Sequence, residues 1–407
     1  MFFKTFVIAR ADIFGEQSFY VGFENDNAED TNAGLNSLIL FGRIVYKTQN
    51  EALMSKQIVV KTVPTFLFQS DFFVVQFVNE ILFYSRILPF FKSLKIDVED
   101  IFPKFYDSQL RMNADTVDVA LLFEDLRHEG YILSKRRSFL DYEHLTLMMR
   151  KIGQFHGYSY SAKKKNFVRF YSLGKAFLPA HFTVLGKLRN LLTMSGTRAI
   201  TALKKDPQYV SKLSNIERII ERADDFMVQI LTMEAHESIS VLCHGDYLVT
   251  NLMFQYDENG KPVNIKLIDM ASCVVGSPII DIGFVLYFHA NQKMRDDHWN
   301  DLIEQYYVGL LETCLENEAP TKNCIMNEFQ TKSIYSYLIA SYYLLWQLSY
   351  DNNFTTFYEM LPEKYREYSV EEIPETVTYD IYKKLGGTLG TEVLMDILKD
   401  MLQRNFI

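Results

Sequence analysis

The segment from Val241 to Asp269 constrains this chain more than any other. An apolar run, Val241-Leu242-Cys243, ends on His244-Gly245-Asp246; Asn251 follows Asp246 by five residues, and a second apolar run, Leu267-Ile268, ends on Asp269. Asn259-Gly260 between the runs is a residue pair favoured in a two-residue hairpin. Apolar runs this short read as buried strands. Polar groups on or beside a buried strand must reach a cleft, a counter-charge or an ion to offset their desolvation. A lone D-x-x-x-x-N is common, but His-Gly-Asp after a strand, Asn five on and then a hairpin into Ile268-Asp269 is not.

The remainder of the chain divides by pattern. Ser18–Phe23, Leu38–Lys47 and Gln57–Val63 are aromatic and β-branched runs that read as strands, with an Asn- and Asp-rich loop from Glu24 to Asn36. Phe73, Val74, Phe77, Ile81, Tyr84 and Ile87 recur at helical spacing, which predicts a helix over 71–88, capped by Asp71 and stopped by Pro89. Phe105–Arg111 and Val117–Phe123 complete a small antiparallel sheet. Beyond Leu126 the pattern turns to long helices: Asp141–Lys163, Ala180–Leu203, Ile216–Glu234 and most of Trp299–Ile407. The fold class is therefore α+β, with a small β-rich lobe over 1–123, a large helical lobe over 124–407, and the boundary at Leu121–Leu126. Gly386-Gly387-Thr388-Leu389-Gly390 follows a helix, so it reads as a turn and not as a phosphate loop.

Composition narrows the function classes. With 407 residues the chain has room for a core in each lobe, and its net charge of −9 argues against a nucleic-acid partner. The basic runs Lys135-Arg136-Arg137 and Lys163-Lys164-Lys165 read as solvated helix ends. Four cysteines without a Cys-x-x-Cys pair suit a reducing compartment, and no uncharged run reaches a membrane span. A cytoplasmic location without membrane partners is expected. His128, His144, His181, His236 and His289 are scattered, and Asp297-His298-Trp299 has no second His at a ligand spacing.

Asp246, Asn251 and Asp269 have the residue types, in order, that phosphoryl transfer requires. One carboxylate orients the acceptor hydroxyl, and an amide and a second carboxylate hold Mg²⁺ on the phosphates. H-x-D-x-x-x-x-N is the kinase catalytic loop. Asp246 is then the base, Asn251 and Asp269 are metal ligands, and His244 anchors the loop. A lysine for the phosphates is supplied by Lys61, set among Val59, Val60 and Val63, with Glu80 on the next helix as its counter-charge. Thr31–Ser37, with Gly34 and Asn36, lies where a turn brings backbone N–H groups to phosphate, although it has one glycine and no G-x-G-x-x-G. Asp281 follows Asp269 by twelve residues and no Ala-Pro-Glu intervenes, so no platform for a peptide substrate is visible. Asp281 is expected to brace the catalytic loop through its backbone. Tyr335, Tyr337, Tyr342, Tyr343, Trp346 and Tyr350 form an aromatic cluster read mainly as core, with one or two members lining a lipophilic acceptor pocket.

These motifs resemble the ecdysteroid kinase-like (CHK kinase-like) family, related to choline kinases and aminoglycoside phosphotransferases. The resemblance rests on Val241–Asn251, Lys266–Met270, Gly276-Ser277-Pro278 with Asp281, Leu122–Leu126, Asn79-Glu80-Ile81 with Tyr84 and Leu88-Pro89, and the Leu145–His156 helix. It implies a protein kinase-like two-lobed fold with ATP and Mg²⁺ in the cleft, adenine against the backbone near Glu124 and Leu126, and phosphorylation of a hydroxyl on a small molecule of ecdysteroid or xenobiotic type. A choline- or aminoglycoside-like kinase and a catalytically silent pseudokinase are the alternatives. The chain departs from the family in having Tyr247-Leu248 where relatives carry a Trp, and Asp269-Met270-Ala271 where they carry Asp-Phe-Gln.

Overall fold

The computed structural model describes residues 18–26, 37–62, 71–112, 117–178, 180–232, 237–352, 357–366 and 373–407. It is α+β, as expected, and divides into two compact units: Met1–Ile132 with Lys266–Ala271, and Leu133–Ile265 with Ser272–Ile407.

The first unit is built on five antiparallel strands, β1 (Phe19–Asn25), β2 (Leu38–Lys47), β3 (Leu53–Thr62), β4 (Phe105–Met112) and β5 (Val117–Glu124), in the order β1-β2-β3-β5-β4. Strand periodicity sorts the side chains of β3. Ile58 and Val60 join Ile44, Tyr46, Ala120 and Leu122 in one core cluster, while Val59 and Lys61 point to the other face. Each Ile or Val buried in such a cluster contributes about 1.5–3 kcal/mol. α1 (Asp71–Leu82) leads through a π turn at Phe83–Ile87 into α2 (Leu88–Ser93). Tyr84 of that turn packs 4.8 Å from Phe123 and 5.3 Å from Phe105. Pro89 does not stop the helix as expected. The helical path runs on through it: the π turn bonds with wider spacing, Leu88 N–H to the Phe83 carbonyl, and the ladder is already irregular where Pro89 contributes no N–H. Val74–Ser93 is long and apolar enough to cross a membrane, but half of it is buried and it carries Glu80 into an ion pair, as a core helix does.

The units part after Ile132, later than Leu121–Leu126, because the junction folds with the first sheet. Asp125 caps the 3-10 turn Leu126–Glu129, and Arg127 lies 3.7 Å above the centre of the Phe41 ring. The short strand β6 (Tyr131–Leu133) follows.

The second unit is mostly helical. α3 (Tyr142–Gly174) is capped by Asp141 and runs past the expected Lys163. Asn166 (φ −156°, ψ 75°) breaks it, and the Asn166 side chain accepts from the Arg169 amide to restart it. After α4 (Ala180–Leu203), the helix expected over 216–234 is two: α5 (Pro207–Glu221), with Asp206 as N-cap and Pro207 in its first turn, and α6 (Ala223–Leu231). β7 (Val241–Cys243) pairs with β10 (Val274–Gly276), and β8 (Leu252–Tyr256) leads through the Asn259-Gly260 turn to β9 (Pro262–Leu267). α7 (Ile279–Phe284), α8 (Gln292–Leu311), α9 (Lys322–Lys332), α10 (Ile334–Asp351), α11 (Phe357–Met360), α12 (Glu375–Tyr382) and α13 (Gly387–Gln403) complete the unit. Gly386 and Gly387 form the turn into α13, and Arg198 donates to the carbonyls of Leu385 (2.7 Å) and Gly387 (2.5 Å). α3 and α8 approach backbone to backbone: a Cβ on Gly153 would meet the Tyr306 carbonyl oxygen at 2.1 Å, and one on Gly309 the Arg150 carbonyl oxygen at 1.9 Å.

Neither basic run is wholly a solvated helix end. Lys163 donates to the carbonyls of Glu237, Ser238 and Ser240 (2.5–3.1 Å), and burial lowers its ammonium to about 8, with Glu237 opposing. Lys135–Arg137 lies in a loop, where the Arg137 guanidinium stacks 3.5 Å from the Tyr350 ring centre.

Candidate active site

In the first unit Lys61 is held on a central strand, between Ile39 of β2 and Leu121 of β5, and is buried. Its Nζ lies 2.6 Å from Glu80 Oε2 and 2.7 Å from Asp269 Oδ1. Burial acts to lower the Lys61 ammonium, but the Asp269 and Glu80 charges outweigh it and hold the group protonated. One ammonium cannot neutralise two carboxylates. Burial, with the Asp269 charge adding to it against the Lys61 ammonium, therefore pushes the Glu80 carboxyl up to about 7. Asp269 remains 39% exposed and has a positive φ of 61°, a backbone region that non-glycine residues adopt sparingly and that recurs at functional sites. Its segment is stitched to the unit by three bonds: Leu267 N–H to the Ile101 carbonyl (2.8 Å), Asn79 Nδ2 to the Ala271 carbonyl (3.2 Å), and Lys266 to Glu124 (3.3 Å).

Glu124 Oε1 also accepts from the Lys104 amide at 2.7 Å. The Glu124 amide is bonded to the Lys104 carbonyl, and the Leu126 carbonyl to the Gly130 amide. The adenine expectation therefore rests on the other main-chain groups of Glu124 and Leu126. Gly34 and Asn36 lie outside the described residues.

In the second unit Asn251 closes on Asp246. Asn251 Nδ2 donates to both the main-chain oxygen and Oδ2 of Asp246, each at 2.9 Å, and Leu248 N–H bonds the same main-chain oxygen at 2.8 Å. With Nδ2 so used, Oδ1 is the Asn251 atom with the chemistry to ligate a hard cation. The loop is fixed from behind by Asp281, which is fully buried: His244 N–H reaches Oδ2 at 2.7 Å and Gly245 N–H reaches Oδ1 at 2.8 Å. His156 Nε2 sits 3.0 Å from the same Oδ2, with its Nδ1 3.0 Å from the Tyr306 hydroxyl. His156, Cys243 and Asp281 place donor atoms within 4.8 Å of one another. These Asp281 contacts, with the Cys243 thiol on the Ser277 carbonyl at 3.3 Å, make the cluster a hydrogen-bonded brace. Tyr247, the departure from the family's Trp, is buried, with its hydroxyl on the Met148 carbonyl at 3.0 Å and its ring 5.8 Å from His244.

His289, read from the sequence only as one of several scattered histidines, touches the loop that carries Asp246. Its Nε2 accepts the Val249 amide at 3.1 Å, between Asp246 and Asn251, and its own carbonyl accepts from Leu140 N–H at 2.8 Å. A lone His after an apolar helix carries no local signal of that contact. Burial pushes the ring down to about 3, so it is neutral, as an acceptor must be. Its folded value lies below the unfolded one near 6.5, so its contribution to stability is complete above pH 6.5 and is lost as pH falls toward 3. We expect a loss of about 2 kcal/mol from this group between pH 7 and pH 5. Urea unfolding of the wild type and His289→Gln at both pH values checks this: the variant keeps an acceptor but should lose that part of the pH dependence.

The sheet with its buried Lys61–Glu80–Asp269 group, and the loop that sets Asn251 on Asp246, define a kinase-like phosphotransferase class. A family model described as the ecdysteroid kinase-like family matches residues 35–317, more than half of the chain, and the chain belongs to that family. No curated protein matches it.

Proposed function

We propose that this protein is an ATP-dependent phosphotransferase that phosphorylates a hydroxyl group of a small molecule. The observation that carries the reading is the Lys61 ammonium bracketed by Glu80 and Asp269 at 2.6 and 2.7 Å, a buried cation with more carboxylate around it than it can neutralise. Such a group suits a phosphate–cation pair: Lys61 donates to phosphate oxygens, and Asp269 turns to a hard cation that prefers oxygen ligands. The carboxylate of Asp269 and Oδ1 of Asn251 would hold Mg²⁺, and the backbone near Glu124 and Leu126 would hold adenine. Mg²⁺ and ATP supply a polarised γ-phosphoryl group. Asp246 accepts the hydrogen bond of the acceptor hydroxyl, orients its oxygen, and takes the proton as the new P–O bond forms and ADP leaves. Asn251, locked on Asp246, keeps that carboxylate in a single orientation. The short segment between Asp269 and Asp281 supports a small acceptor over a peptide.

The test is a melting curve with and without Mg·ATP, followed by ATP consumption against a panel of alcohols. Mg·ATP should raise the melting temperature by a few degrees. Asp269→Ala should abolish that shift. Asp246→Asn should keep it while turnover falls by about a thousandfold. The enzyme reading fails if Mg·ATP leaves the wild-type melting temperature unchanged; binding without consumption of ATP against any alcohol would favour a silent, ligand-binding kinase fold.

A further inference from the structure

Between Glu143 and Asp206 the chain has twelve lysines and arginines and no acidic residue, although its net charge is −9. Several of these cations are engaged within the second unit: Arg150 with Glu312, Lys204 with Glu217, and Lys163 with the carbonyls of Glu237, Ser238 and Ser240. Around the break in α3 at Asn166 the cations instead face out. Lys164, Lys165, Arg169 and Lys175 are exposed. Two apolar residues stand among them: Phe167 is 42% exposed and Val168 77%.

The break decides which side chains point outward. Beyond it Phe170, Leu173 and Phe177 recur at three- and four-residue spacing and are buried, so they form the inner stripe of the restarted helix. Phe167, Tyr171 and Lys175 recur every four residues on the other side, with Val168 beside them. Phe167 stacks on Tyr171 with ring centres 5.9 Å apart and planes at 24°, and Lys175 Nζ lies 4.5 Å from the centre of the Tyr171 ring. The outward stripe is therefore ordered in advance. Single apolar residues scattered on a surface are ordinary. An adjacent aromatic and aliphatic pair set among four exposed cations is not. An anionic bilayer satisfies both kinds of group: lipid phosphates take the ammonium and guanidinium charges, and the apolar pair enters beneath them. A nucleic acid would use the cations alone and offer nothing to Val168.

We propose that the break in α3 is a docking surface for an anionic membrane, with Phe167 and Val168 entering the headgroup layer and Lys164, Lys165, Arg169 and Lys175 set on its phosphates. Such docking is independent of phosphoryl transfer and runs against the sequence expectation of no membrane partner. The experiment is co-sedimentation of the full chain with vesicles of phosphatidylserine and phosphatidylcholine in equal parts, and with vesicles of phosphatidylcholine alone. Melting curves check that each variant is folded. The wild type should pellet with the mixed vesicles at low salt, stay in solution with phosphatidylcholine alone, and leave the mixed vesicles as salt rises. Val168→Leu should partition like the wild type, and Val168→Asp should lower the partition coefficient by about tenfold or more. Lys164→Gln combined with Arg169→Gln should lower it by about twenty- to thirtyfold, a factor of about five for each cation. No pelleting with the mixed vesicles at low salt, equal pelleting with phosphatidylcholine, or unchanged partition of folded Val168→Asp overturns the proposal. Heparin binding by a wild type that ignores the vesicles overturns it as well, and gives the patch to a soluble polyanion.

Discussion

Asp281→Ala should destabilise the protein by about 3–5 kcal/mol, a large share of the 5–15 kcal/mol that holds a typical domain together. The Asp281 carboxylate is fully buried and is bonded to the His244 and Gly245 amides and to His156. Removing it strands those polar groups in a dry interior, each at about 1–3 kcal/mol. Asp281→Asn should not rescue it: an amide has one acceptor oxygen, and its NH₂ would face a backbone N–H. Denaturant unfolding of both variants checks the account, which fails if the Asn variant retains wild-type stability.

Gly245→Ala should be nearly as severe, and the reason is separable. Gly245 has φ +80°, and an added Cβ would lie 2.0 Å from the Ser272 carbonyl oxygen. Ser272 ends a 3-10 turn and is joined through Cys273 alone to the strand β10 that pairs with β7, so neither backbone has room to yield. Gly260 in the hairpin has a similar φ of +76° but nothing within 4 Å of its Cβ position. Gly260→Ala should therefore cost only the left-handed backbone term, about 1–2 kcal/mol. Gly245→Ala should exceed it by several kcal/mol and displace the Asp246 loop. Thermal unfolding of the pair would settle it, since equal losses would mean that the close approach to Ser272 does not matter.

Much of the site was legible in advance because its signals are local. Lys61 in a valine-rich strand required a counter-charge, and helical spacing placed Glu80 on the element that follows. The spacing of Asp246 and Asn251 is that of a single turn, so their contact needs nothing from elsewhere in the chain. Errors arose where local rules met context. Pro89 was read as a stop because a proline inside a regular α-helix breaks the ladder, but the π turn before it changes the ladder. The helix over 216–234 was read as continuous because its apolar spacing survives the break at Arg222.

By itself the sequence determined the element types, the family and the identity of the charged groups, since periodicity and motif spacing act over a few residues. Tertiary structure alone decided that His289 holds the Val249 amide, that one ammonium bridges Glu80 and Asp269, and that Asp281 holds the His244 and Gly245 amides. These contacts join residues far apart in the chain. They depend on how closely helices pack, as at Gly153 and Gly283, and packing distance leaves no periodic trace in a sequence.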